Sequence, residues 1–215
     1  ERLQLNEITV WSGDPQPDAD RKDAYKHLPE VRKVIREGKF DLAEKLTNQY
    51  MTSSAPYTSS YQTLGDLLFQ YKLPQGDVKN YYRSLDIATA ISNTSFEVDG
   101  ITFDREVFSS APDQGIVTRI SASKPGNVSF TLDLDRMERA TTHTIGNDML
   151  LMRGNTGNTL TYEVQVKVVP KGGKVSAINN KLIVEKADEV LVFLTAGTSY
   201  ILDYKKGYKG KDPHN

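Results

Sequence analysis

Two alternating apolar runs meet at an Asp-Gly pair near the middle of the chain. Phe96 and Val98 precede Asp99-Gly100, and Ile101 and Phe103 follow it, with polar residues between them. The commonest two-residue β-hairpin turn needs positive φ angles at both central positions, and Asp-Gly accepts them. The stretch therefore predicts an antiparallel hairpin with one apolar face.

The same pattern of short alternating strands and tight turns continues to the end of the chain. Strands are predicted about every ten residues, separated by turns rich in Gly, Asn and Pro, over 115–123, 128–134, 149–152, 160–169, 173–178, 182–185 and 189–195. Segments 115–123 and 128–134 are expected to pair with each other, and the nearly continuous apolar run of 189–195 predicts a central strand. Ten or more strands of this kind favour two large facing antiparallel sheets.

The chain before the hairpin differs in its periodicity. Leu3 to Val10 reads as a strand that ends at Trp11. A first helix is then expected, with Pro29 in its first turn and Gly38 at its end. A second helix is expected from an Asp41 N-cap to residue 51. These segments predict a short helical hairpin, inserted at about 26–52, that packs on the sheets. We expect one mainly β domain over 1–202, followed by a linker over 203–215 that is rich in Lys, Gly and Tyr.

Composition excludes several classes of function. The 27 basic and 28 acidic residues leave a net charge of −1, so the chain has no field to attract nucleic acid or an anionic membrane surface. Without cysteine there is no disulfide scaffold, thiolate nucleophile or Cys-ligated zinc. No apolar run reaches the length of a membrane span. His27, His143 and His214 lack the spacing of a metal site, and we predict no metal or cofactor.

Candidate functional residues are few. Trp11 is the only tryptophan, and with Tyr57 and Tyr61 it is a candidate for sugar stacking at the rim of a cleft, but core packing is the favoured interpretation of Trp11. A glycosidase would need two facing carboxylates, which sequence alone cannot reveal. Glu7, Asp104 and Glu106 fit better as solvated charges or cross-strand partners. No catalytic residue is therefore assigned.

Several strings resemble the amino-terminal domain of glycoside hydrolase family 95, the α-L-fucosidases and their α-L-galactosidase relatives. Residues 2–13 resemble "RLQLNE-x-T-x-WSG", and residues 61–67 resemble "YQ-x-LGDL". Further matches in the same order lie at 28–32, 38–44, 82–86, 105–108, 110–114, 123–126 and 196–200. The family's preceding "GNGRLGAM"-like string is absent, so a strand of the usual sandwich is expected to be missing.

The resemblance implies more than a fold. Proteins of this family carry an amino-terminal β-sandwich, a helical linker, an (α/α)6 barrel with the active site, and a small carboxy-terminal β domain. This chain resembles only the sandwich, so no catalytic residue transfers to it. By this resemblance it is the non-catalytic domain of a bacterial enzyme of the kind that degrades glycans in the gut, and it packs on the barrel and shapes the substrate cleft.

The expected partners are the (α/α)6 barrel of the same polypeptide and its oligosaccharide substrate. That barrel would hydrolyse terminal α-L-fucosyl or α-L-galactosyl linkages with inversion and without a cofactor, in the periplasm or outside the cell. An independent carbohydrate-binding module is the alternative, and coplanar exposed aromatic rings on one sheet would favour it. An adhesion sandwich with no enzyme attached is disfavoured by the family-specific strings.

Overall fold

The computed structural model describes residues 1–13, 20–53, 59–157 and 159–214. It divides into two compact units, one of residues 1–12 with 61 onward and one of residues 13–60. The first unit contains the strands and the second contains the helices. No helix among the described residues is long and apolar enough to cross a membrane.

The first unit is a mainly β sandwich, as predicted. Its thirteen described strands are β1 Arg2–Leu5, β2 Gly65–Tyr71, β3 Lys79–Asp86, β4 Ile91–Val98, β5 Ile101–Ser110, β6 Gly115–Ala122, β7 Val128–Asp135, β8 Ala140–Ile145, β9 Met149–Asn155, β10 Thr161–Lys171, β11 Lys174–Ile178, β12 Lys181–Ala187 and β13 Glu189–Thr198. All pairings are antiparallel. The small sheet has the order β1-β2-β7-β12-β11, and the large sheet has the order β3-β4-β5-β6-β13-β10-β9-β8.

The core lies between the inner faces of the two sheets. Alternate residues of β10 in the large sheet are fully buried, beginning with Tyr162 and Val164. In the small sheet Phe69, Phe130 and Leu132 have no measurable exposure. Each such side chain contributes roughly 1.5–3 kcal/mol by leaving water, so this layer supplies most of the driving force for folding. The register of every core strand is therefore fixed by which residues face inward.

The central hairpin confirms the turn prediction. Asp99 and Gly100 have φ angles of 52° and 64°, and they join β4 to β5 with Val98 opposite Ile101. Beyond the turn, Phe96 faces Phe103 with ring centroids 5.4 Å apart. The inner face of β5 also carries a charged side chain, Arg105, whose guanidinium contacts the Thr94 hydroxyl at 3.3 Å. Burial lowers the pKa of Arg105 to about 10.

One predicted pairing is wrong. The segments expected at 115–123 and 128–134 both form strands, but β6 lies in the large sheet and β7 in the small one. The turn at 124–127 crosses between the sheets, because the apolar faces of β6 and β7 each complete a different inner face. The Asp188 side chain accepts a hydrogen bond from the Gly126 N–H at 2.8 Å. Asp188 itself joins β12 to β13, so this bond ties two crossovers together.

One predicted strand limit also changes, and one strand lies in a segment for which no strand was predicted. The first strand ends at Leu5 and not near Val10, because the chain turns at residues 7–10. The Glu7 carboxylate accepts a hydrogen bond from the Thr9 N–H at 2.8 Å, and the Val10 N–H donates to the Glu7 carbonyl at 3.1 Å. The polar segment 135–147, left unassigned from sequence, contains β8 at the edge of the large sheet.

The helical unit contains α1 Ala24–Arg36 and α2 Phe40–Tyr50. Helix α1 starts earlier than predicted, so Pro29 lies inside it and not in its first turn. Gly38 follows the helix with a φ of 73°, as expected of a helix end. The N-cap of α2 is Lys39, and Asp41 lies in the first turn instead.

Contacts within the helical unit join its two helices. The rings of His27 and Tyr50 stack with centroids 4.0 Å apart, and Val31, Val34 and Ala43 are buried. Phe40, predicted on the apolar face of the second helix, is 67% exposed. Residues 14–20 are rich in Asp and Pro and residues 52–60 in Ser and Thr, compositions that predict connecting loops; of these, 14–19 and 54–58 lie outside the described residues.

Two glycines with similar backbone angles allow a test of the sheet crossover from β10 to β11. Gly173 has a φ of 61°, and an added Cβ would lie 2.3 Å from the Glu185 carbonyl oxygen. Gly100 has a φ of 64° with no atom near an added Cβ. We expect Gly173→Ala to lower the free energy of unfolding by at least about 2 kcal/mol more than Gly100→Ala. Both substitutions strain the backbone at a positive φ, but only the Cβ added at residue 173 clashes with the Glu185 carbonyl oxygen. Urea denaturation measures this, and equal losses would contradict it.

Candidate functional site

Trp11 and Tyr61 meet where the chain leaves the sandwich for the helical unit and where it returns. The two residues form an isolated antiparallel bridge, and their rings lie edge to face with centroids 5.5 Å apart and an interplanar angle of 60°. Val10, next to Trp11, is completely buried, and its carbonyl accepts a hydrogen bond from the Gln62 N–H at 3.0 Å. We call this bridge the Trp11–Tyr61 stem.

Local hydrogen bonds fix the orientation of both rings of the stem. The Trp11 Nε1–H donates to the Ile8 carbonyl at 2.8 Å, and the Tyr61 hydroxyl donates to Asn6 Oδ1 at 3.2 Å. The rings remain 44% and 43% exposed. Trp11 is therefore a half-exposed side chain at the edge of the sandwich and not a core residue. Two of the three residues predicted for sugar stacking thus lie together, while Tyr57 falls outside the described residues.

Three more tyrosines lie at the same end of the sandwich. The rings of Tyr200 and Tyr208 stack at 6.0 Å with an interplanar angle of 3°, and Tyr204 meets Tyr208 edge to face at 6.2 Å. A hydrogen bond of 2.5 Å joins the hydroxyls of Thr9 and Thr198. Thr9 lies two residues before Trp11 and Thr198 two residues before Tyr200, so this bond links the tyrosine cluster to the stem. We call these five residues the aromatic rim: Trp11, Tyr61, Tyr200, Tyr204 and Tyr208.

The tyrosine cluster was missed because its segment has the composition of a linker. Residues 203–214 instead fold back on the sandwich through a bridge of Tyr200 with Lys209 and a 3₁₀ turn at Tyr204–Lys206. Gly207 ends that turn with a φ of 60°. The sequence feature that could have indicated the cluster is the spacing of Tyr200, Tyr204 and Tyr208, four residues apart, with Gly207 before the last of them.

The two rings of the stem can each stack on a sugar ring, but together they do not form one flat platform. Trp11 and Tyr61 are inclined at 60°, so a single ring face is available at a time. Elsewhere, Tyr81, Phe96 and Phe103 form a ladder across three strands, with neighbouring centroids 6.5 Å and 5.4 Å apart. Tyr81 remains 58% exposed at one end of this ladder, whereas Phe103 is buried. The near-parallel pair of the rim, Tyr200 and Tyr208, does not lie on a strand of either sheet, where a carbohydrate-binding module was expected to display its rings.

Two of the three carboxylates considered from sequence, Glu7 and Glu106, have structural partners. Glu7 bonds Thr9, and Glu106 bonds Arg119 of the neighbouring strand at 3.2 Å. Four described carboxyl groups have a lowered pKa, and none of these shifts suits a catalytic acid, which needs a raised pKa. The causes are a hydrogen bond from the Lys39 side chain for Glu37, from the Ala88 N–H for Asp86, from the Lys174 side chain for Glu185 and from the His214 N–H for Asp212.

The histidines also have separate surroundings. His27 stacks on Tyr50 in the helical unit, His143 lies on β8, and the His214 Nε2 lies 2.9 Å from the Tyr162 carbonyl oxygen. Within the part of the chain that the structure describes, no three His, Asp or Glu side chains come together as a metal site requires.

Comparison with known proteins gives a consistent family. The family described as "Glycosyl hydrolase family 65, N-terminal domain" matches residues 1–202. "Alpha-L-fucosidase 2" of Arabidopsis thaliana is 32% identical over 232 aligned residues, which cover 93% of this chain and 26% of that protein. A protein of Aspergillus niger described as an α-fucosidase A is 24% identical, covering 100% of this chain and 28% of its own length. The chain thus spans about a quarter of the length of these relatives.

Among solved structures, one described as a kojibiose phosphorylase from the human microbiome aligns with a TM-score of 0.41 and 11% identity. The alignment covers 61% of this chain and 22% of that one.

Proposed function

This chain belongs to the glycosyl hydrolase family 65 N-terminal domain family, and from that membership we propose that it is the non-catalytic β-sandwich of a larger, α-L-fucosidase-like glycoside hydrolase. The proposal rests on the difference between the share of this chain and the share of each relative that the alignments cover. Nearly the whole chain aligns with two α-fucosidases, yet it accounts for only 26% and 28% of their lengths. The remaining three quarters leave ample room for a catalytic domain.

The proposed role of this domain is to pack on the catalytic domain and shape one wall of its substrate cleft. In this proposal the catalytic domain is an (α/α)6 barrel of the same polypeptide, which hydrolyses terminal α-L-fucosyl or α-L-galactosyl linkages with inversion and without a cofactor. The aromatic rim supports the cleft role, because half-exposed rings held by local hydrogen bonds are suited to line a sugar site. We also propose the periplasm or the extracellular space as its location, which cell fractionation would test.

The proposal predicts where the activity resides. The full-length gene product should hydrolyse a chromogenic α-L-fucoside or the corresponding α-L-galactoside, and this chain alone should hydrolyse neither. Comparing the two sugars on the full-length protein identifies the preferred one. Turnover by the chain alone would contradict the non-catalytic role, and an inactive full-length protein would contradict the assignment as a fucosidase-like hydrolase.

Removing the Trp11 ring tests the cleft role. In the full-length protein, Trp11→Ala should raise the KM for an oligosaccharide several-fold with a smaller change in kcat, because a stacking surface for the bound sugar is lost. Tyr82→Ala is the matched control, since Tyr82 is a 62% exposed aromatic residue on the outermost strand β3, remote from the rim. If Trp11→Ala and the unchanged enzyme have the same KM and kcat, Trp11 does not line the substrate cleft.

An independent carbohydrate-binding module is the second candidate, favoured by the 44% exposure of Trp11. As the chain contains a single tryptophan, its fluorescence reports on the rim directly. If the module proposal is right, a fucosylated oligosaccharide should shift the Trp11 emission of the chain alone in a saturable titration. Under the cleft proposal the emission should stay unchanged, because the rest of the sugar site belongs to the catalytic domain.

A further inference from the structure

The outward face of the large sheet carries a line of apolar side chains. In register across β5, β6, β13, β10, β9 and β8, the residues opposite one another are Phe108, Val117, Phe193, Lys167, Met149 and Ile145. Phe108 is 37%, Phe193 41% and Ile145 45% exposed. We call the five apolar members of this line the outer apolar row, and Leu191 and Val169 adjoin it on β13 and β10.

Such a row is not expected on a face that meets water. An antiparallel sheet with one solvated face alternates apolar and polar residues, and the inward positions of β13 are Val190, Val192 and Leu194. The outward positions Leu191 and Phe193 break that alternation, so β13 is apolar on both faces. The five apolar side chains of the row are interrupted by Lys167 between Phe193 and Met149. Exposed apolar patches larger than scattered single residues mark interaction sites, of which a surface that binds another polypeptide is one kind.

A depression of about 200 Å³ opens beside the row. Val117, Phe193 and Met149 line it, together with Ser110 at the end of β5 and Asp113 of the turn that follows. The backbone of Gly115 also lines it. An apolar cavity of about 150 Å³ is enough to hold benzene, so this depression is large enough for one bulky apolar side chain.

Several charges near the row are paired with neighbouring side chains, and Asp113 accepts a hydrogen bond from the Ser110 hydroxyl. Arg119 contacts Glu106 at 3.2 Å and Glu189 at 2.5 Å, and Lys167 contacts Asp148 at 2.6 Å. The surface therefore does not need a charged partner to balance it. What it lacks is apolar contact, which a segment with one apolar face provides.

The last described residues lie on this same outward face. Arg153 donates to the His214 carbonyl at 3.2 Å, and Asp212 accepts from the Thr161 hydroxyl at 3.1 Å. Under this tail Glu163 is only 6% exposed. Glu163 and Lys167 are four residues apart on β10, about 13 Å along the strand, so about four extended residues beyond His214 would reach the row.

We propose that the polypeptide following His214 in the full-length protein covers the outer apolar row and places a bulky apolar side chain in the depression. The inference rests on the proposed function, which supplies a further polypeptide about three times as long as this chain, since the chain covers 26% and 28% of its relatives. It adds to that function by naming the surface through which the sandwich holds the rest of the enzyme. The tail then acts as the first part of this contact.

Cysteine labelling tests the proposal, because the chain has no cysteine of its own. Phe193→Cys and Ile145→Cys place a thiol on the row, and Lys174→Cys places one on the exposed edge strand β11 of the small sheet. Each variant is labelled with a maleimide in this chain alone and in the full-length protein, and the modified peptide is quantified by mass spectrometry.

We expect both row variants to react readily in the chain alone and at least about tenfold more slowly in the full-length protein, with Lys174→Cys equally reactive in both. Equal labelling of the row variants in both proteins would overturn the proposal. Protection in the chain alone that grows with protein concentration would also overturn it, in favour of a second copy as the occupant.

The full-length variants are also assayed on the chromogenic α-L-fucoside, so the two proposals can fail separately. If the row cysteines are protected from labelling but the full-length protein does not hydrolyse the fucoside, the proposed function is wrong and the covered surface stands. If the protein hydrolyses the fucoside but the row cysteines are labelled equally in both proteins, the covered surface is wrong and the proposed function stands.

Discussion

The structure depends on keeping two apolar sheet faces against each other. Tyr162 and Val164 of the large sheet and Phe69, Phe130 and Leu132 of the small sheet are almost completely removed from water. Side chains alternate along a strand, so a shift of one residue in any of these strands would move its apolar set to the outside. This constraint determines which strands share a sheet, where the crossovers lie, and which end of the sandwich displays the aromatic rim.

Local signals in the sequence predicted the strands and turns well, but they did not predict which distant strands pair with each other. Asp99-Gly100 specifies its own turn, because the positive φ angles belong to those two residues alone. The placement of β6 and β7 in different sheets depends on which distant strands offer matching faces, namely β13 for β6 and β12 for β7. No feature of the turn at 124–127 distinguishes a hairpin from a crossover.

The same division applies to the candidate site. Trp11 and Tyr61 could be selected singly from residue type, but their ring contact joins positions 50 residues apart and depends on the strands that bring them together. The tyrosines of the tail were missed because composition suggests a linker, whereas backbone and side-chain hydrogen bonds keep residues 203–214 on the sandwich. The nearly continuous apolar run of 189–195 did predict β13 as a central strand, though not that its outward residues would stay exposed.

The Trp11–Tyr61 stem also bears on how this kind of chain can change over evolutionary time. The 48 residues from Gly13 to Ser60 leave and re-enter the sandwich at one residue pair. The entropy of closing a loop rises slowly with its length, by about 0.6 kcal/mol for each doubling. Insertions, deletions or a different small fold between these two points would therefore leave strand register intact, and this position can diversify while the sandwich around it stays constant.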